Sequence, residues 1–143
     1  MRILVAAAGL LLLTGGAFAE QSYKPAVKVM PLLKTQTTTS GAPIAYPRID
    51  DPEVQTLLVE IPPGGETGWH LHPYPAYAYI LAGTIEVETV GGVRKTFKAG
   101  DAFAEMVDQP HDGRVVGDEP VRILMVVTGA KDKPFTVRVP EPK

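Results

Sequence analysis

The stretch G-W-H-L-H-P-Y-P-A-Y-A-Y-I-L-A-G (Gly68–Gly83) decides how this chain is read. It holds two of the three histidines, one residue apart, beside three tyrosines and two prolines. In a strand, residues i and i+2 share a face. His70 and His72 then aim one way, and Trp69 and Leu71 aim the other. Two imidazoles on one face can serve a single metal ion, but they need a third ligand from elsewhere. The only other histidine is His111, after the turn Gly100-Asp101 and a short apolar strand.

The surrounding sequence supports an all-β chain. Apolar residues alternate or form short runs, broken every eight to twelve residues by Gly, Pro or Asp, which is the pattern of a sandwich or barrel. The expected strands are Ala26–Lys34, Val54–Ile61, Gly68–His72, Ala76–Ala82, Thr84–Val90, Lys95–Lys98, Ala102–Met106, Gly113–Val116, Val121–Thr128 and Phe135–Val139. Gly91-Gly92 marks a hairpin. The polar segment Thr35–Asp51 reads either as an irregular arm laid over the barrel or as a mobile loop.

The first nineteen residues read as a secretory signal peptide. A short basic start (Met1-Arg2) precedes the apolar run Ile3–Leu13, and Ala17-Phe18-Ala19 forms an A-x-A cleavage pattern before Glu20. The run falls short of the ~20 apolar residues of a membrane span; a retained N-terminal anchor is the rival reading. The expected organisation is a cleaved leader (1–19), an N-terminal arm and strand (20–53), a barrel (54–130) and a C-terminal strand and tail (131–143). Export points to the periplasm, or to secretion outright. With no cysteine, disulfides and thiolate metal sites are excluded. Among 143 residues, a net charge of −2 with no basic patch argues against nucleic acid as a partner.

The spacing resembles that of the cupins. Their usual first motif is G-x5-H-x-H-x3,4-E-x6-G, and Gly64, His70, His72 and Gly83 fall in place. The second is G-x5-P-x-G-x2-H-x3-N, and Gly100 and His111 fall in place, with Met106, Asp108 and Val115 at the proline, glycine and asparagine positions. The likeness spans Val54 to Thr128 and is similar to the small single-domain, type-2 cupins. It implies a double-stranded β-helix (jelly-roll) barrel, often dimeric, with Ala26–Lys34 as a strand to swap between copies. It also implies a metal held by His70, His72 and His111. Iron, manganese, nickel, zinc and copper all suit such ligands.

The departure from the family is chemical. The glutamate position of the first motif is Ala76, which cannot ligate. Tyr77 stands at the longer spacing, but in a regular strand it faces away from Ala76, and only a bulge beside Pro75 turns it inward. Glu105 has two readings: a surface or rim carboxylate, or a mouth residue acting as general base or as the hydrogen-bond partner that orients a metal-ligating group. Ala76, Ala78 and Ala104, if they face inward with the histidines, leave room for a small molecule, and Trp69 at the mouth offers a stacking surface. Asp108 and Asp112 flank His111 and are candidates to orient its ring. Two functions stay open: a metal-dependent, dioxygenase- or isomerase-like enzyme on a small organic substrate, or a non-catalytic sugar- or aromatic-binding cupin with an eroded metal site.

Overall fold

The computed structural model describes residues 26–143. The expected signal peptide lies outside the described residues. The described chain divides at Pro31 into two units, the second being Leu32–Lys143. Of the first, residues 26–31 are irregular. The strand expected over Ala26–Lys34 does not form. Its apolar residues read as a strand, yet no segment of the described chain pairs with it.

The second unit is all-β. Nine strands follow one another: β1 (Pro52–Ile61), β2 (His70–Leu71), β3 (Ala76–Ala82), β4 (Thr84–Thr89), β5 (Arg94–Lys98), β6 (Ala102–Ala104), β7 (His111–Val115), β8 (Val121–Ala130) and β9 (Val137–Arg138). They form two antiparallel sheets, ordered β1-β8-β3-β6 and β5-β4-β7-β2-β9. Sequence neighbours such as β3 and β4 lie in different sheets, which is the jelly-roll wiring of a double-stranded β-helix.

The core follows from period-two alternation. Along β3, Ala76, Ala78 and Ile80 are buried while Tyr77, Tyr79 and Leu81 face outward. Along β8, Val121, Ile123, Met125 and Val127 are buried, with Arg122 and Leu124 exposed. The facing sheet contributes Ile85 and Val87, and Phe97 stacks on Phe103 with ring centroids 4.0 Å apart. The Gly-Gly hairpin forms as read: Glu88 stands opposite Arg94, and the Thr89 N–H donates to the Val93 carbonyl at 2.9 Å.

The polar arm is laid down and tied. Thr37 bridges Pro43, the Ile44 N–H donates to the Gln36 carbonyl, and the Thr39 N–H donates to the Ala104 carbonyl at 3.0 Å. The Lys95 ammonium also donates to the Thr39 carbonyl. The arm therefore packs against the end of β6, where one wall of the site is built.

Between β3 and β4 the chain passes from one sheet to the other at Gly83. Its φ is +76°, and a Cβ there would lie 2.5 Å from the Pro120 carbonyl oxygen. Gly91 also has positive φ, but a Cβ there would meet nothing within 4 Å. The left-handed conformation alone costs a side chain about 1–2 kcal/mol. Gly91→Ala is expected to cost that much, and Gly83→Ala about 3 kcal/mol or more, because backbone overlap adds to the conformational term. Urea unfolding of both variants checks this; equal losses would show that the Gly83 contact relaxes at no cost.

Candidate metal centre

The three histidines converge because the second sheet pairs them. His70 in β2 stands directly opposite His111, the first residue of β7. The strand thus begins two residues before the expected Gly113. His72 lies just past β2 and makes an isolated parallel bridge to Val107. As i and i+2 of an extended segment, His70 and His72 are both buried while Trp69 and Leu71 are half-buried. One ring nitrogen from each histidine lies within 4.8 Å of the other two. Ring centroids are 4.4–5.1 Å apart.

Each ring is held the same way. Nδ1 of His70 meets the Gly68 carbonyl at 2.7 Å, Nδ1 of His72 the Phe135 carbonyl at 3.0 Å, and Nδ1 of His111 the Gln109 carbonyl at 2.8 Å. A carbonyl only accepts, so each Nδ1 carries the hydrogen and donates it. Each Nε2 then keeps its lone pair, and that of His111 is buried with no partner. Backbone carbonyls that fix the tautomer of a ligating imidazole are the usual companions of a metal site. Burial also holds two of the rings neutral. His72 and His111 are both lowered from 6.5 to about 4, chiefly by desolvation, with carbonyl bonding working against the shift.

A fourth polar group faces this trio. Glu105 follows β6 and is nine-tenths buried. Its Oε2 lies 3.9 Å from His111 Nε2 and has no hydrogen-bond partner. Because His111 is neutral near pH 7, this contact is not an ion pair. Burial pushes the Glu105 carboxyl up to about 7, with a bond from the Met106 backbone opposing the shift. The trio and Glu105 line a cavity of about 340 Å³, whose other walls include Val59, Ile85, Phe103 and Met125. Apolar walls with a few convergent polar groups are the make-up of a small-molecule site.

Residues 57–127 match the family model for the Cupin domain. This segment is similar to a cupin domain. Solved structures agree on the fold. The DMSP lyase DddQ of Ruegeria pomeroyi DSS-3 is 27% identical, with a TM-score of 0.54 over 72% of this chain and 49% of that one. The oxalate decarboxylase of Lactobacillus farciminis, solved as a formate complex, is 26% identical, with a TM-score of 0.51 over 60% of this chain and 26% of that one. A conserved protein from Klebsiella pneumoniae with a double-stranded β-helix domain is 21% identical, with a TM-score of 0.53 over 66% of this chain and 90% of that one. This chain spans about half or less of the length of the two enzymes. No curated protein matches it.

The other candidate residues lie elsewhere. Tyr77 faces outward from β3, with no bulge beside Pro75 to turn it, and its hydroxyl donates to Tyr46 Oη at 3.4 Å. Partial burial and the Tyr46 bond raise it to about 12, so it stays a phenol and does not stand in for the missing carboxylate. Ala76 and Ala104 line a second, outer hollow of about 260 Å³ under the arm, which Tyr77 and Glu105 also line. Ala78 is packed into the core, and neither it nor Trp69 lines the histidine cavity. Asp112 does not orient His111. It is buried and accepts hydrogen bonds from Thr67 Oγ1 at 3.1 Å and Arg114 Nε at 3.2 Å. Thr67 Oγ1 in turn accepts from the Gly113 N–H, so this group ties the approach to β2 onto β7.

Phe135 and Arg138 went unmarked in the sequence. Phe135 supplies the carbonyl on His72 and stacks on its ring with centroids 5.8 Å apart. Arg138 pairs with His70 in the ladder and lines the cavity. Only the alternation of Phe135–Val139 signalled that this strand existed; nothing signalled what it touches.

Acidification tests the buried neutral rings. Between pH 6.5 and about 4 the unfolded chain protonates both histidines while the fold does not, so folding stability falls as pH falls. Glu105 opposes this: the fold holds its proton up to about 7 while the unfolded chain loses it near 4.5, so the cost of its charge is relieved on acidification. Two histidines outweigh one carboxyl. At about 1.4 kcal/mol per pKa unit, the metal-free protein is expected to lose on the order of a few kcal/mol from pH 7 to pH 4. Glu105→Gln removes the offset and steepens the loss. Urea unfolding in the presence of a chelator measures both, and a flat profile would contradict neutral, buried imidazoles.

Proposed function

We propose that this is an exported metalloprotein whose His70, His72 and His111 bind one divalent transition ion beside a cavity that takes a small organic substrate. The observation that carries the reading is the common fixing of three Nδ1 atoms by backbone carbonyls, with a buried, unpartnered Nε2 on His111. Three neutral nitrogens suit iron, manganese, nickel, zinc or copper. Such an ion supplies Lewis-acid polarisation of a bound oxygen atom, or activation of dioxygen.

The chain's own residues supply the rest. Val59, Ile85, Phe103 and Met125 exclude water from one side of the substrate. Arg138 is the one basic residue among those lining the cavity, and it makes no ion pair among the described residues. An organic acid that reaches the ion and meets the guanidinium fits this arrangement, since the divalent ion and the guanidinium are both positive. The reaction class is dioxygenase- or isomerase-like. The leader directs the protein to the periplasm. Two copies pair, with Ala26–Lys34 swapped between them and the outer face of β1 and β8 at the contact, where Val54, Leu58 and Leu124 are exposed.

Elemental analysis of untagged protein is expected to find about one divalent transition metal per chain, as one open three-histidine site requires. The His70→Ala, His72→Ala, His111→Ala triple variant should lose it. Protein that is metal-free from metal-replete cells, and takes up none on titration, would sink the reading. Turnover of a panel of small organic acids, with and without dioxygen, separates an enzyme from a binder. Periplasmic protein beginning at Glu20, and a dimer mass by light scattering, are the expected outcomes for export and pairing.

A further inference from the structure

Burying a carboxylate oxygen with no partner is costly, so such an atom calls for a ligand. The Glu105 carboxyl takes a bond from the Met106 backbone, but one of its oxygens takes none. Its Oε2 is buried and unpartnered, and 3.9 Å away His111 Nε2 is also buried and unpartnered. That separation is too long for a hydrogen bond. It is shorter than twice a typical metal–nitrogen or metal–oxygen distance of about 2.1 Å, so one ion between the two atoms would satisfy both.

The backbone explains how a carboxylate comes to lie there. In the β3–β6 ladder Tyr77 opposes Ala104, and one rung on the Glu105 N–H donates to the Ala76 carbonyl at 2.9 Å. Cross-strand neighbours at such a rung have side chains on the same face, about 5 Å apart. Ala76 and Glu105 are both buried, on the inner side of the sheet. Ala76 has only a methyl group, so the space beside it is free for the longer side chain across the ladder.

We propose that Glu105 is the fourth protein ligand of the metal centre, reaching the ion from the strand next to the one that carries Ala76. The carboxylate has moved across one rung of the sheet, and its negative charge lowers the net charge of a centre otherwise built from neutral rings. This inference rests on the metal-binding reading above and adds to it.

The test is metal titration of the full chain with Co(II) and Zn(II) against a chromophoric chelator, comparing wild type with Glu105→Gln. Glutamine keeps the shape of the side chain, and thermal unfolding of the metal-free variant confirms the fold. The expected result is about a 100-fold weaker dissociation constant for both ions, at the upper end of what loss of an ordering group near a metal produces. The visible spectrum of bound Co(II) should also change in band position and intensity, because a ligand has changed. Wild-type affinity and spectrum in Glu105→Gln would overturn the inference while leaving the three-histidine site standing. Weaker binding with an unchanged spectrum would also overturn it, since Glu105 would then act beside the ion and not on it. Wild-type protein that binds neither ion would sink the metal-binding reading itself.

Discussion

Three imidazole rings can share a small buried volume only if all are neutral and all point their lone pairs at one place. Carbonyl oxygens meet that constraint. Gly68 and Gln109 each lie two residues before the histidine they hold, so the chain's own path into β2 and β7 fixes those two rings. His72 is held from far away, by Phe135. The β2–β7 pairing that sets His70 opposite His111 brings these local devices together. Much of the site's architecture can be read as a means of keeping those rungs in register: the Thr67–Asp112–Arg114 group on one side, β9 on the other.

The parts legible in the sequence were those governed by periodicity. Ala76–Ala82 was bounded correctly at both ends because alternation and flanking Pro and Gly mark it on both sides. The histidine trio was legible because it depends on side-chain identity and strand parity. What stayed hidden depends on backbone atoms and on cross-strand register. A carbonyl leaves no mark in a sequence, so nothing set Phe135 apart from any other apolar residue. Glu105 was visible as a candidate, but whether it faced solvent or the histidines turned on its rung in the ladder with Ala76. Ala26–Lys34 shows the converse: apolar residues suggest a strand, but within a chain a strand exists only where a partner edge is offered.

The departures from the cupin motifs differ in kind. At the glycine position of the second motif stands Asp108, with φ of +54°. Aspartate is among the few side chains that tolerate this region, so the turn keeps its shape although the glycine is gone. At the proline position Met106 is fully buried and packs in the core. Neither residue lines the histidine cavity. At the glutamate position Ala76 offers only a methyl group, which cannot ligate, and the carboxylate of Glu105 stands one strand away.

The carbonyl of Phe135 carries one more implication, about where this domain ends. The family likeness stops at residue 127, eight residues before the atom that orients His72. β9, which borders His70 and brings Arg138 to the cavity, lies further on still. A chain cut at the family boundary would keep both histidine motifs and most of both sheets. It would nonetheless leave one imidazole free to spin. The smallest piece of this protein that can act is therefore longer than the smallest piece that can be recognised.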